Sequence, residues 1–340
     1  MIDWLSIKMN INHNYIMGDR LLKISNTGEV IYQLDQGVSY IGSYDSSIYL
    51  TTTPDNHLYF SGNPVKFLQG HNIFGSMDIT SMIYDCLKYI NSLDDVNLNL
   101  DLFALPYVID FSKPTRIDIT QSFTVGSRAR VRNFIRALEF KSKTRHGRSQ
   151  LSGTTLYYGK NSRRWSIKIY SKADELESRK KGHKLPHEHF SEKNIERLQK
   201  YANDLIRIEL TLRGKELEKR SITTLEQLDE QRCNELYEEY MMRIEISDQI
   251  KLDDEQLIDL PNFARGTYTM WRDGYDLRSV LTKPTYYRHR RQLRALGIDI
   301  AIRRDIDNEF ENILPFIQVI KAEPVGIPDW AFDDGLVSNA

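Results

Sequence analysis

The sequence predicts an α+β protein in which an antiparallel sheet is followed by a mainly helical C-terminal part. Three observations carry this reading. Short alternating runs, broken by Gly, Asn, Asp and Pro, fill residues 1–69. Three longer segments, Thr115–Phe123, Trp165–Ser171 and Leu205–Arg213, alternate with one unbroken apolar face each. Beyond residue 220 the apolar residues recur mostly at helical spacing. A chain of 340 residues has room for two domains and a core that needs no staples. The expected division is a domain over 1–220 and a helical domain over 221–340.

The elements follow in order. Val30–Leu34, Ser47–Thr51 and Leu58–Ser61 read as short strands. Residues 78–92 read as an amphipathic helix behind Asp78, with Ile79, Met82, Ile83, Cys86, Leu87 and Ile90 on one face. Ser127 is placed to cap a helix running to about Phe140, whose apolar face is Val131, Phe134, Ile135 and Leu138. Thr154–Tyr158 and Trp165–Ser171 read as strands joined by a turn. Residues 172–203 read as helix interrupted at Gly182–Pro186, and 222–244 as an acidic helix expected to be a solvated spacer. Short helices fill 267–304, with Gly297 as the C-cap of Pro284–Leu296.

Charge is segregated. The chain nets −1, yet residues 113–220 hold 27 basic against 12 acidic residues, and 261–304 hold 10 against 3. The intervening and terminal stretches are acidic. Two basic blocks favour a phosphate-backbone partner, and the overall balance argues against a protein that coats DNA uniformly. Two distant cysteines, Cys86 and Cys233, have neither zinc nor disulfide-framework spacing and suit a reducing cytoplasm. No signal peptide and no membrane partner are expected.

The three long strands share one chemical pattern. Arg116, Asp118 and Thr120 fall on one face of the first; Lys168, Tyr170 and Lys172 on one face of the second; Arg207, Glu209 and Thr211 on one face of the third. Neighbouring strands would gather two carboxylates, a tyrosine and several cations. That inventory suits phosphoryl transfer. Carboxylates hold Mg²⁺ or Mn²⁺ through oxygen, the metal polarises a phosphodiester, and a tyrosine hydroxyl attacks phosphorus. A metal, or Lys172 on the same strand face, would favour the phenolate. Tyr157 and Tyr158 are rival nucleophiles, and a half-exposed sheet with no chemistry gives the same alternation.

The stretch 63–76, reading Asn-Pro-Val-Lys-Phe-Leu-Gln-Gly-His-Asn-Ile-Phe-Gly-Ser, resembles a hallmark of the filamentous bacteriophage replication initiators, the gene II protein family. Thr115–Asp118, Leu156–Gly159 with Ile169–Lys172 and Glu175, and Ile206–Glu209 resemble it in the same order. Trp271–Leu277, Tyr286–Ile298 and Ile327–Trp330 also match. The resemblance implies a rolling-circle-initiator-like nuclease domain. Such a protein nicks the plus strand of a double-stranded origin, joins the 5′ phosphate, leaves a 3′ hydroxyl primer, and later cuts and religates the displaced strand. It also implies host helicase and polymerase as partners, and action in the cytoplasm of the bacterial host.

The family's nucleophile falls on Tyr170, with Lys172 beside it. Asp118 and Glu209 are expected as metal carboxylates. His71 is either a third ligand or a structural histidine of a Gly-rich turn shaped by Gly70 and Gly75. His187-Glu188-His189 lies in an expected loop and is not read as a metal pair. Expected DNA contacts are Arg116, Arg128, Arg132, Arg136, Arg163, Arg164, Lys168 and Arg207. Near the C-terminus, Tyr287, Arg288, Arg290, Arg291 and Arg294 lie on a helix resembling the recognition helix of a helix-turn-helix module over 267–300. Two other functions stay open at this point: a non-catalytic origin-binding regulator, and a metal-dependent nuclease using water.

Overall fold

The computed structural model describes residues 1–144, 147–178, 184–246, 260–295, 298–301 and 324–338. Its strands are β1 (Ile2–Met9), β2 (Arg20–Ile24), β3 (Val30–Asp35), β4 (Val38–Ile41), β5 (Ser47–Thr52), β6 (Leu58–Gly62) and β7 (Lys113–Thr124). They continue with β8 (Ser142–Thr144), β9 (Gly147–Arg148), β10 (Gln150–Ser152), β11 (Thr155–Tyr158), β12 (Trp165–Ser171), β13 (Leu205–Arg213) and β14 (Ile244–Ile246). Nine of them form one sheet in the order β10-β11-β12-β13-β7-β1-β6-β5-β4, and its pairings are all antiparallel. The expected α+β class with an antiparallel sheet is what the chain forms.

The three strands that share a chemical pattern are consecutive in the sheet, as β12, β13 and β7. Their apolar residues, among them Ile117, Ile119, Ile167, Ile169, Ile208 and Leu210, are fully buried in the main core. Helix α4 (Arg128–Lys141), capped by the Ser127 hydroxyl, adds Val131, Phe134, Ile135 and Leu138 to that core. Helices α1 (Pro64–Gln69), α2 (Ile79–Asn91) and α3 (Leu105–Asp110) precede β7. Asp78 caps α2 through the Ser81 N–H, as its spacing predicts. β2 and β3 pair as a separate ribbon whose Leu21, Ile24, Val30 and Leu34 stay exposed.

Helices α5 (Lys172–Leu176) and α6 (Glu192–Ala202) flank the interruption, of which Gly182 lies outside the described residues. Helix α7 (Gly214–Lys219) follows β13 directly. The acidic segment departs from expectation. It folds as a 3₁₀ turn (Leu225–Gln227) and α8 (Glu230–Met241), and it is not a solvated spacer. Leu225, Cys233, Leu236, Tyr237 and Tyr240 join the main core, because the acidic residues occupy only one side of the helix. The boundary expected near 220 thus falls inside one packed unit.

Helices α9 (Asn262–Arg272), α10 (Leu277–Val280) and α11 (Lys283–Ala295) have a core of their own, built from Ala264, Tyr268, Trp271, Leu277, Tyr286 and Leu293. Leu296 and the expected C-cap Gly297 lie outside the described residues. Residues 324–338, with helix α12 (Asp329–Asp333), do not join that core. They pack against α6 and the 73–74 turn through Ala331 and Leu336. Among the described residues, no helix is long and apolar enough to cross a membrane.

Candidate active site

Register decides which side chains meet. Lys168 stands opposite Glu209 and Tyr170 opposite Arg207, while Thr120 pairs with Glu209 and Asp118 with Thr211. The polar residues of β12, β13 and β7 therefore form one contiguous patch. Asp118 and Glu209 are diagonal neighbours on adjacent strands, a relation that separates side chains by about 7–8 Å. β11 joins the same patch at its edge, where Tyr157 stands opposite Lys168.

The rival tyrosines separate here. Tyr158 points into the main core, fully buried, with its hydroxyl hydrogen-bonded to Ser142 at 2.5 Å. Burial pushes its phenol pKa up. Tyr157 shares the polar face, with Lys160 over its ring at 4.9 Å. Alternation makes one of two consecutive strand residues face the core, and the register shows which.

The patch is not a solvated face. Asp118, Glu209, Arg207 and Lys172 are each at most 2% exposed, and Tyr170 is 5% exposed. Burial at that level requires partners for every charge. Arg116 grips Asp118 with two hydrogen bonds, at 2.9 and 2.5 Å, while its guanidinium lies over Trp4. Lys168 reaches Glu209 at 2.5 Å. Burial, reinforced by the Asp118 charge, pushes the Glu209 carboxyl up to about 8, even though Lys168 pulls it down. Burial likewise raises the Tyr170 phenol well above its usual value, aided by Glu175 and opposed by Arg207.

Lys172, expected on the strand face, begins α5 instead, and its ammonium is held by Glu175 at 2.5 Å and by Asn72 Oδ1 at 2.8 Å. Burial brings this lysine down to about 8, with Glu175 resisting and Arg207 assisting. Arg207 donates to the Asn72 carbonyl and lies 3.7 Å from Asp3 Oδ1.

Asp3 and Asn72 were not expected at the site. Asp3 reaches it because β1 carries an irregularity: Ile2 pairs with Ile119, and Trp4 pairs with Asp118, so two steps on β1 match one on β7. A bulge of this kind turns an extra side chain toward the site. Asp3 then accepts hydrogen bonds from Asn63 and Asn72, both at 2.7 Å. Against the opposing push of burial, Arg207 and Lys172 hold its carboxyl below the usual range. Asn72 had a signal in the sequence, since it lies inside the 63–76 hallmark stretch. Asp3 had none.

Several expected site residues are placed elsewhere. His71 has both ring nitrogens engaged by backbone groups. Its Nε2 donates to the Leu336 carbonyl at 3.0 Å, leaving Nδ1 to accept from the Ile73 N–H at 3.3 Å. Burial drives its pKa down to about 3, so it is a neutral, structural histidine. The turn around it is shaped by glycine: Gly70 has φ 80° as the C-cap of α1, and a Cβ on Gly75 would meet Val65 at 2.6 Å.

Arg207, expected as a DNA contact, has no exposed surface and faces Asn72 and Asp3. Arg128 and Arg132 converge on Asp174, and Arg128 also holds Glu177, which ties α4 to α5. Arg290 is paired with Asp299 at 2.8 Å. Arg164 lies 3.4 Å from Glu216. Arg136, Arg163, Tyr287, Arg288, Arg291 and Arg294 are exposed.

The donor set for a metal can be tested on these residues. Among the described residues, no cluster of three His, Cys, Asp or Glu forms. Two buried carboxylates do share a face, and the Asp118 charge adds to the cost of charging Glu209. Mg²⁺ and Mn²⁺ accept one or two carboxylates with water and phosphate oxygens completing the shell. Asp118 and Glu209 fit that description, without His71.

Comparison with known proteins agrees with the ordered motifs. The N-terminal family of the phage replication-associated protein, the gene 2 protein, matches residues 1–231, and its C-terminal counterpart matches 252–337. The chain is 36% identical over 335 residues to the replication-associated protein of Enterobacteria phage I2-2, covering 96% of this chain and 95% of that protein. Among solved structures, the rolling circle replication initiator protein from Geobacillus stearothermophilus aligns over 89% of this chain and 98% of its own, at 10% identity and a TM-score of 0.34. That score is no more than a general likeness.

Proposed function

The chain belongs to the replication-associated gene 2 protein family of filamentous-phage initiators, and from that premise we propose that it nicks the plus strand at a double-stranded origin by tyrosine transesterification. The observation that supports this most is the patch itself, which puts Tyr170, Arg207 and the Asp118–Glu209 pair on neighbouring strands, with Lys172 at the start of α5 directly after β12.

In the proposed step the Tyr170 phenolic oxygen forms a bond to phosphorus and the bond from phosphorus to the 3′ oxygen breaks. The phenolic proton passes to a base, for which Glu175 beside Lys172 is the candidate. The base returns that proton to the 3′ oxygen, which leaves as the hydroxyl that primes synthesis. The 5′ phosphate stays on the enzyme as a phosphotyrosine. Arg207 and the Lys172 ammonium offset the negative charge that a buried phenolate would carry. Asp118 and Glu209 would hold Mg²⁺ or Mn²⁺, with Lys168 leaving Glu209. The ion would polarise the phosphodiester.

Helix α11 would grip the origin through Arg288, Arg291 and Arg294, in the host cytoplasm where the helicase and polymerase act. The later cut and religation of the displaced strand would reverse the same bond. Tyr157, on the same face, is the residue available to a second cleavage.

Incubation with a supercoiled plasmid carrying the origin and Mg²⁺ is expected to give a nicked circle with protein on its 5′ end. Tyr170→Phe is expected to bind origin DNA and form no adduct. Undiminished nicking by that variant would overturn the assignment, and cleavage without an adduct would indicate attack by water. Chelation of divalent ions is expected to stop nicking while leaving origin binding in place.

A further inference from the structure

Asn72 is the point at which the groups around Tyr170 are joined. Its side-chain nitrogen donates to Asp3 Oδ1 at 2.7 Å, and its side-chain oxygen accepts from the Lys172 ammonium at 2.8 Å. Its backbone carbonyl accepts from Arg207, the residue opposite Tyr170 in register. One residue thus engages both cations and the bulged carboxylate, from a loop rather than from the sheet.

The loop is held from both ends. Asn63 caps α1 and also donates to Asp3, so the start of the 63–76 stretch is fastened to the same carboxylate. On the far side, His71 and Gln69 are tied to the C-terminal segment through Leu336 and Ser338. A side chain so constrained keeps one rotamer, as a positioning shell requires.

We propose that Asn72, backed by Asp3, is a positioning residue that sets Lys172 and Arg207 about Tyr170, an inference that rests on Tyr170 being the nucleophile. Asn72 does not itself touch DNA; it acts through the two cations. The charged groups acting on Lys172 are Glu175 on α5, Arg207 on β13 and Asp3 on β1, and Lys66 on α1 faces the same two carboxylates. Losing either the Asn72 oxygen or the Asp3 charge removes support for the ammonium. Both losses make Lys172 give up its proton at lower pH.

The test uses the full chain and a labelled single-stranded oligonucleotide carrying the origin, with the rate of covalent adduct formation read at saturating DNA. Asn72→Ala is expected to slow adduct formation at least tenfold, with DNA affinity within about twofold of the parent. Asp3→Asn, which keeps Asn72, is expected to act in the same direction with a smaller loss. In both, the alkaline limb of the rate–pH profile moves to lower pH. A purely structural role would lower the unfolding midpoint and leave that limb in place.

Should Asn72→Ala fail to fold, Asp3→Asn decides. A folded variant with the parental rate and profile overturns the proposal. Tyr170→Phe run alongside separates the two ideas: an adduct formed without Tyr170 defeats the nucleophile assignment. Loss of the adduct in Tyr170→Phe, with parental behaviour in the folded Asn72 and Asp3 variants, defeats only the positioning role.

Discussion

The two basic blocks of this chain are used in opposite ways. The larger, over 113–220, turns many of its cations inward. Arg207 and Lys172 are buried, Lys168 and Arg116 cover carboxylates, and Arg128 and Arg132 clamp Asp174. The smaller block, over 261–304, leaves Arg288, Arg291 and Arg294 of α11 exposed and commits Arg290 to Asp299. The lesson is that a block's net charge says how many cations exist, and partner geometry says which can reach a phosphate. The first block largely lines the interior of the site, and the second leaves exposed the cations proposed to grip DNA.

The contrast can be broken most severely at Arg207. Arg207→Met takes one of two cations from Asp3 and removes the cation opposite Tyr170, and losing one partner of a buried pair costs about 3–5 kcal/mol. Urea unfolding is expected to show a loss on that order. Weakened origin binding at unchanged stability would instead make Arg207 a DNA contact. Next in size is the outward block. Replacing Arg288, Arg291 and Arg294 by alanine is expected to leave the unfolding midpoint in place. The slope of log affinity against log salt should flatten by roughly 0.9 for each phosphate no longer neutralised. A fall in stability with an unchanged salt slope would reverse the assignment of the two blocks.

A smaller effect concerns the C-terminal segment that packs on the inward block. His71 titrates at about 3 when folded, well below its ordinary value, because burial disfavours the imidazolium. Between about 6.5 and 3 the unfolded chain therefore binds a proton that the folded chain does not. Stability from this group is complete above about 6.5 and is lost as pH falls toward 3. Thermal unfolding between pH 7 and 5 is expected to show a decline that is shallower in His71→Gln. An equal decline in both would remove His71 as its source. The smallest difference separates adjacent tyrosines. Tyr158→Phe, which breaks the buried bond to Ser142, is expected to cost about 1 kcal/mol. Tyr157→Phe, on the polar face, is expected to cost little by the same unfolding measurement.

Much of the sheet was legible because alternation is a local property. The period of two put Asp118, Glu209, Lys168 and Tyr170 on the polar sides of their strands, and capping residues Asp78 and Ser127 announced their helices. Helix α8 was misjudged for an equally physical reason. Its acidic residues are conspicuous in composition, while Cys233, Leu236, Tyr237 and Tyr240 form the narrower stripe that decides packing. β1 was not singled out, although it is paired on both sides as a central strand between β7 and β6.

By itself, the sequence determined the class of fold, the polar and apolar sides of each strand, and the set of groups suited to phosphoryl transfer. Those depend on residue type and on spacings of two to four positions. Tertiary structure alone decided that β12, β13 and β7 are neighbours, and that a bulge brings Asp3 to the site. It also decided that Asn72 joins Asp3 to Lys172 and Arg207, and that His71 serves Leu336. Each of these is a contact between residues far apart in the chain. Register and loop closure set such contacts, and no local period encodes them.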